Sequence, residues 1–218
     1  MSSTSTSKVP KGPTHDGDHR TRSRRRGATL DAAILRATIT EIDQHGYADL
    51  SIERVAERAG ASKASVYRRW PSKVSLVLAA VYDQLPDTAV VPDTGSLRED
   101  LLALFGSAAQ LLAGPAGVAI RGLVGDALRD PELAGQLRGY TRGRSMAALR
   151  EVLRRAEQRG ELSPEAITAR QLESGLSVLR FHFLVNGAPV ADAVIVEIVD
   201  EVVLPLFHAV AGSASAHS

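Results

Sequence analysis

Lys63, Arg68, Arg69 and Lys73 crowd into the stretch GASKASVYRRWPSK at 60–73, with Tyr67 and Trp70 between them. Guanidinium and ammonium groups at this density are suited to oxyanions, which they bind through charge-assisted hydrogen bonds. Phosphates spaced along a polymer are the natural target, because each contact releases counterions and the contacts add. Residues 51–73 hold six basic and two acidic residues, whereas the whole chain of 218 residues has a net charge of only +1. A second basic cluster, Arg20, Arg22, Arg24, Arg25 and Arg26, closes the N-terminal stretch. It could follow phosphates or enter a minor groove, or serve as a solubilising tail. Residues 86–218 carry twelve arginines against sixteen acidic residues, so the polyanion partner belongs to one pole of the molecule.

Other chemistries find no constellation. There is no cysteine, hence no disulfide framework or thiolate metal site. His15, His19 and His217 lie near the ends, and His45, His182 and His208 are isolated. No Ser/His/Asp set, phosphate loop or HExxH helix is present, so neither catalysis nor a metal or other cofactor is expected. No apolar run approaches the ~18 residues of a membrane span, and MSSTSTSKVPKGPTHDGDHR has no apolar segment of the kind a secretory signal needs. The expected location is the cytoplasm, in a bacterium at the nucleoid.

The elements that must hold the basic stretch are helical. Hydrophobic residues make up 44% of the chain and aromatic residues 4%, and no stretch alternates as a strand would. Residues 1–27, rich in Ser, Thr, Gly, Pro and charge, read as a disordered basic arm. From Thr29, residues Leu30, Ala33, Ile34, Ala37 and Ile42 trace an apolar helical face that Gly46 ends. Ser51, Ser62 and Ser72 stand where N-caps belong, and Gly60 and Pro71 punctuate the helices between them. Ala56, Gly60 and Val66 form the skeleton of a helix-turn-helix: a small residue at the crossing, a glycine turn and an apolar residue packing back. In such a unit the second helix meets duplex DNA with its N-terminal residues, here Lys63, Ala64 and Ser65, with Tyr67 about one turn on. Arg68, Arg69 and Lys73 would hold the phosphates. A solvated basic helix face is the alternative for the same residues.

These residues also carry a family resemblance. GYADLSIERVAERAGASKASVYRRWPSKVSLVLAAV resembles the N-terminal DNA-binding domain of the tetracycline-repressor (TetR) family of bacterial regulators, in register over residues 30 to about 82. The resemblance implies that Ser51, Ser62, Lys63, Ser65, Tyr67, Arg68, Arg69 and Lys73 face DNA. Tyr47 reads as packing or phosphate contact, with packing preferred, and Trp70 reads as core. Thr38, Thr40 and Glu41 depart from the family, which is more apolar there. GDALRDPELAGQLRGY, VLRRAEQRGELSPE and GAPV resemble a C-terminal domain of the same family.

Beyond a linker at 85–96, helices are expected at about 97–113, 116–129, 131–159, 164–186 and 191–211, about nine in all. The reading is an all-α chain with three parts: a basic arm (1–27), a helix-turn-helix domain (28–85) and a helical ligand-binding and dimerisation domain (86–218). The last two helices are apolar on more than one side. Leu172, Leu176, Leu179 and Phe183 form one stripe, and Val194 to Leu206 cover most of the final helix. A homodimer through those helices would cover them, with Gly175 allowing close approach and Pro205 ending or kinking the last. Phe105, Arg121, Leu123, Tyr140, Met146 and Phe181 are the candidates for a pocket holding a small-molecule inducer, with Asp126, Arg180 or His182 as further polar contacts. Each also reads as ordinary core or surface. Arg138, Arg142, Arg144, Arg150, Arg154, Arg155 and Arg159 read as a solvated face paired with Glu151 and Glu157. The function expected is a ligand-responsive repressor acting as a homodimer on a palindromic double-stranded operator. The alternative is a non-inducible or architectural DNA-binding protein of the same fold.

Overall fold

The computed structural model describes residues 17–84, 91–142, 144–163 and 167–208, with the side chains of 17–27 and 140–145 left aside. Among the described residues there is no strand; the architecture is helical throughout. Four helices come first: α1 (Gly17–His45), α2 (Ile52–Arg58), α3 (Lys63–Arg69) and α4 (Lys73–Asp83). Five follow: α5 (Leu97–Ala113), α6 (Pro115–Ala127), α7 (Pro131–Arg142), α8 (Arg144–Gln158) and α9 (Ala169–Asn186). The last, α10 (Asp192–Glu197), runs on into a π-helical turn, Ile198–Val203. The stretch expected as one helix over 131–159 is helical over Pro131–Arg142 and Arg144–Gln158, and position 143 lies outside the described residues. Among the described residues, no single helix is long and apolar enough to cross a membrane.

The start of α1 corrects the expectation of a disordered arm over 1–27. The helix begins at Gly17, not near Thr29, so the arginine-rich stretch continues it. Arginine is a good helix former, and after Gly17 the one breaker before the apolar face is Gly27, which costs a helix interior about 1 kcal/mol. Residues 1–16 lie outside the described residues.

The short helices owe their ends to local chemistry. Ser51 caps α2 by accepting from the Arg54 N–H at 3.4 Å, and Ser62 caps α3 by accepting from Ser65 N–H at 3.1 Å. Between them Gly60 sits at φ +64°, where its N–H reaches Glu57 O and that of Ala61 reaches Ala56 O, at 3.1 and 2.9 Å. This pair of bonds closes the C-terminus of α2 and turns the chain into α3. Ser72 and Ser75 form a capping box at α4, and Pro115 opens α6, where the missing N–H costs nothing.

Two apolar cores result. The first gathers Ile34, Ile42, Val55, Val66 and Leu76 from α1–α4, and it also takes in Ala116, Ala119 and Leu123 of α6. The second packs Phe105, Leu149, Phe183, Val199 and Phe207 from α5, α8, α9 and the α10 segment. α5 and α6 meet at a bend of 76°, so α6 leaves the second core and crosses to the first. The three polar residues that depart from the family in α1 are accommodated. The Thr38 hydroxyl donates to Ile34 O at 2.9 Å, Thr40 to Arg36 O at 3.1 Å, and Glu41, fully buried, pairs with Arg54 of α2. Gly175 packs within the chain rather than against a second copy: a Cβ there would lie 2.4 Å from Val203 and 2.7 Å from Phe105.

Arg150 and Arg154 of α8 are exposed, Arg154 paired with Glu151, while Arg155, and Arg159 just past the helix, turn toward the linker. Arg155 donates to Val91 O at 2.8 Å and pairs with Glu151, and Arg159 reaches Asp93 at 3.1 Å and the buried Asp100 at 2.9 Å. Asp100 also accepts from Thr94, so the linker's C-terminal end is clamped where α5 begins.

Candidate nucleic-acid interface and ligand cavity

α3 divides its residues between two jobs. Val66 is buried against α2 and Trp70 is half-buried in the first core, while Lys63, Ala64, Tyr67 and Arg68 are exposed. Tyr67 leaves 41% of its surface in solvent, high for a ring on so short a helix. Lys63 pairs with Glu53 of α2, which raises the ammonium and lowers the carboxyl from their ordinary values, and it lies 5.9 Å from the Tyr67 ring centre. The face therefore holds an ammonium, a guanidinium, a small residue and an aromatic ring, with Ser65 half-buried beside them. That set fits a groove floor flanked by phosphates.

Four other expected DNA contacts have structural duties. Ser51 and Ser62 accept the cap bonds through their hydroxyl oxygens. Arg69 turns inward, paired with Asp31 of α1 and donating to Ser65 O and Oγ at 3.0 and 2.7 Å, so it fastens α3 to α1. Lys73 donates to Ala48 O at 2.9 Å and sits 4.7 Å over the Tyr47 ring, and burial pushes its ammonium below the usual value. The side chains of Arg24, Arg25 and Arg26 lie outside the described residues.

Tyr47 does more than pack. Its hydroxyl donates to Asp126 Oδ2 of α6 at 2.6 Å, and its ring lies so close to Gly122 that a Cβ there would be 2.1 Å from it. Burial first, and then the bond to Asp126, push the Tyr47 hydroxyl well above the ordinary phenol range. The turn that precedes α2 is thereby bolted to α6. Asp126, expected as a polar contact in the pocket, serves this junction instead.

A cavity of about 150 Å³ lies where α4, α5, α6, α7 and α9 converge. Leu78, Val81 and Tyr82 of α4 form one wall, Leu123 and Val124 of α6 another, and Arg180 of α9 lines it too. Of the six pocket candidates, and among those whose side chains are described, Leu123 alone lines this cavity. Phe105 is fully buried in the second core, because its ring fills the space left by Gly175. Phe181 points away, 69% exposed on the outer face of α9, because Leu179 and Phe183 take the inward positions. Arg121 is exposed, its guanidinium 4.7 Å over the Phe183 ring. Met146 lines a separate cleft with Arg150, Arg170 and Glu173, and the side chain of Tyr140 lies outside the described residues. The α4 wall was not legible in the sequence, since Leu78 and Val81 follow the same helical spacing as the core residues beside them.

The model of bacterial regulatory proteins of the tetR family matches residues 34–80, and that of the tetracyclin repressor-like C-terminal domain matches residues 91–202. The uncharacterized HTH-type transcriptional regulator Rv1556 of Mycobacterium tuberculosis is 35% identical over 175 residues, which cover 80% of this chain and 86% of that protein. The DNA-binding transcriptional repressor TetR of Mycobacteroides abscessus is 31% identical over 183 residues, covering 83% and 95%. Among solved structures, TetR family transcription regulator SCO0332 superposes with a TM-score of 0.66 at 31% identity, over 80% of this chain and 96% of that one.

Proposed function

The chain belongs to the TetR family of bacterial transcriptional regulators, and from that membership we propose that it is a ligand-responsive repressor, binding an inverted-repeat operator as a homodimer. As a transcription regulator of this family it is not an enzyme. The observation that carries the DNA part is the exposed face of α3, where Lys63, Ala64, Tyr67 and Arg68 project from a helix anchored by Val66, Arg69 and Trp70. Arg69 and Lys73 contribute by holding α3 and the Tyr47 turn in place.

One α3 reads a few base pairs, so specificity in a genome requires a second copy. The outer face of α9 supports a dimer: Val178, Phe181 and Val185 are exposed in sequence register along it, and Val196 of α10 is exposed as well. Exposed apolar residues aligned along one helix face mark an interaction surface.

The ligand part rests on the cavity's position. Leu78, Val81 and Tyr82 belong to α4, the last helix of the DNA-binding unit, and Leu123 belongs to α6, which is tied to Tyr47. A molecule that changes the separation of α4 and α6 therefore tilts α3 relative to its copy. A useful switch needs a coupling of about 1–3 kcal/mol. The M. abscessus relative, called a repressor, gives the expected direction of control.

Sedimentation of the wild-type protein beside Phe181→Glu, with anisotropy on a genomically selected DNA fragment, tests this reading. The wild-type protein should sediment as a dimer and bind. The variant should remain folded, sediment as a monomer and lose most of its affinity. A monomeric wild type, or a variant that binds equally well, overturns the dimer.

A further inference from the structure

Arg180 lines the cavity on α9, among Leu78, Val81, Leu123, Leu176 and Leu179. Its Nε donates to Leu176 O of its own helix at 3.0 Å. Arginine carries four further N–H donors, and none makes a hydrogen bond or ion pair among the described residues. Glu173, two turns earlier on α9, pairs with Arg170 at 3.3 Å. Burial depresses the Arg180 guanidinium from its ordinary value, against smaller opposing attractions from Tyr82 and Glu173, yet arginine stays charged in proteins. A cation set into an apolar wall costs free energy unless something pairs with it. In a cavity otherwise walled mainly by leucines and valines, a ligand's acid group would supply that partner.

We propose that the cavity takes a small amphipathic acid: an apolar body about the size of an aromatic ring or a short acyl chain, with one carboxylate received by Arg180. The volume sets the body, since an apolar cavity of about 150 Å³ accommodates a ligand such as benzene. The planar guanidinium sets the head, because its paired N–H groups match a carboxylate's two oxygens. Leu78, Val81 and Tyr82 would meet the ligand's body, so an acid held by α9 pushes directly on α4. The proposal rests on reading this cavity as the ligand site of the regulator.

The test compares each acid with its neutral counterpart: phenylacetate with phenylacetamide, and octanoate with octanamide, at pH 7. Calorimetric binding to the full chain is followed by release of the selected DNA fragment. We expect each acid to bind at least tenfold more tightly than its amide and to release DNA. Arg180→Gln should remove that preference while leaving amide binding in place, and Arg180→Lys should keep part of it. Val124→Trp, which fills the cavity, should abolish binding of all four. Acids that bind no better than their amides, or not at all, overturn the proposal in the wild-type protein, whatever the variants do. If the amides alone bind and release DNA, the ligand-responsive reading stands and the acid class falls. Acid binding that survives Val124→Trp places the site elsewhere and overturns the assignment to Arg180.

Discussion

Tyr67 and Lys73 lie six residues apart, yet the structure separates their roles. Tyr67 projects from α3 and Lys73 closes on Tyr47 and the Ala48 carbonyl. Lys63→Ala and Tyr67→Ala should therefore each lower operator affinity about tenfold and shrink its ratio to random-DNA affinity, with stability unchanged within about 0.5 kcal/mol. Lys73→Ala should weaken both affinities alike, and competition titrations read the two ratios. A Lys73 variant that loses discrimination, with Tyr67→Ala keeping it, would exchange their assignments. Glu41 shows how a residue out of place in the sequence becomes intelligible. It is fully buried, its Oε1 pairs with Arg54, and its Oε2 has no hydrogen-bond partner. Arg54→Ala leaves that carboxylate short of its main partner and should cost about 1–3 kcal/mol in urea unfolding. Arg58→Ala, which loses an exposed bond to Gln44, should cost under about 0.5 kcal/mol. Equal effects would mean that the buried pair contributes nothing. Spacing made Lys63, Tyr67 and Arg68 legible as exposed. It could not reveal that Arg69 turns toward Asp31, since that depends on where α1 passes.

Among the elements, α6 joins the parts. It sends Ala116, Ala119 and Leu123 into the first core, receives the Tyr47 hydroxyl on Asp126, and forms a wall of the cavity. Gly122→Ala should destabilise the chain by about 1–3 kcal/mol, because a Cβ meets the Tyr47 ring and α6 must move. Tyr47→Phe keeps the ring and loses one hydrogen bond, so it should cost only about 1 kcal/mol. It should also reduce the difference in DNA affinity with and without ligand. A stable Gly122→Ala protein with full ligand response would remove the junction from the account. The sequence made the helices themselves legible through capping serines, glycine turns and the 3.6-residue period. It could not show α6 crossing between cores, because Ala116, Ala119 and Leu123 have the same spacing whichever core they enter. The π turn at Ile198–Val203 was equally hidden, although Pro205 just beyond it signalled a disturbed helix.

At the scale of the whole molecule, charge and apolar surface are carried by different helices. The basic residues gather before and within α3, and the exposed valines and Phe181 lie on α9 and α10. Removing residues 1–26 takes away five arginines and should flatten the dependence of DNA affinity on salt, since fewer counterions are released. An unchanged slope would leave the N-terminal arginines without a role on DNA. Two α3 helices presented by one dimer should read two half-sites related by a two-fold axis. The measurement that tests this most directly is a selection of sheared genomic DNA on the wild-type protein at physiological salt, followed by sequencing. The account expects one inverted repeat, with half-site centres about one helical turn apart or a multiple of it. Broad enrichment with no motif would contradict it, leaving charge-driven binding and an architectural protein.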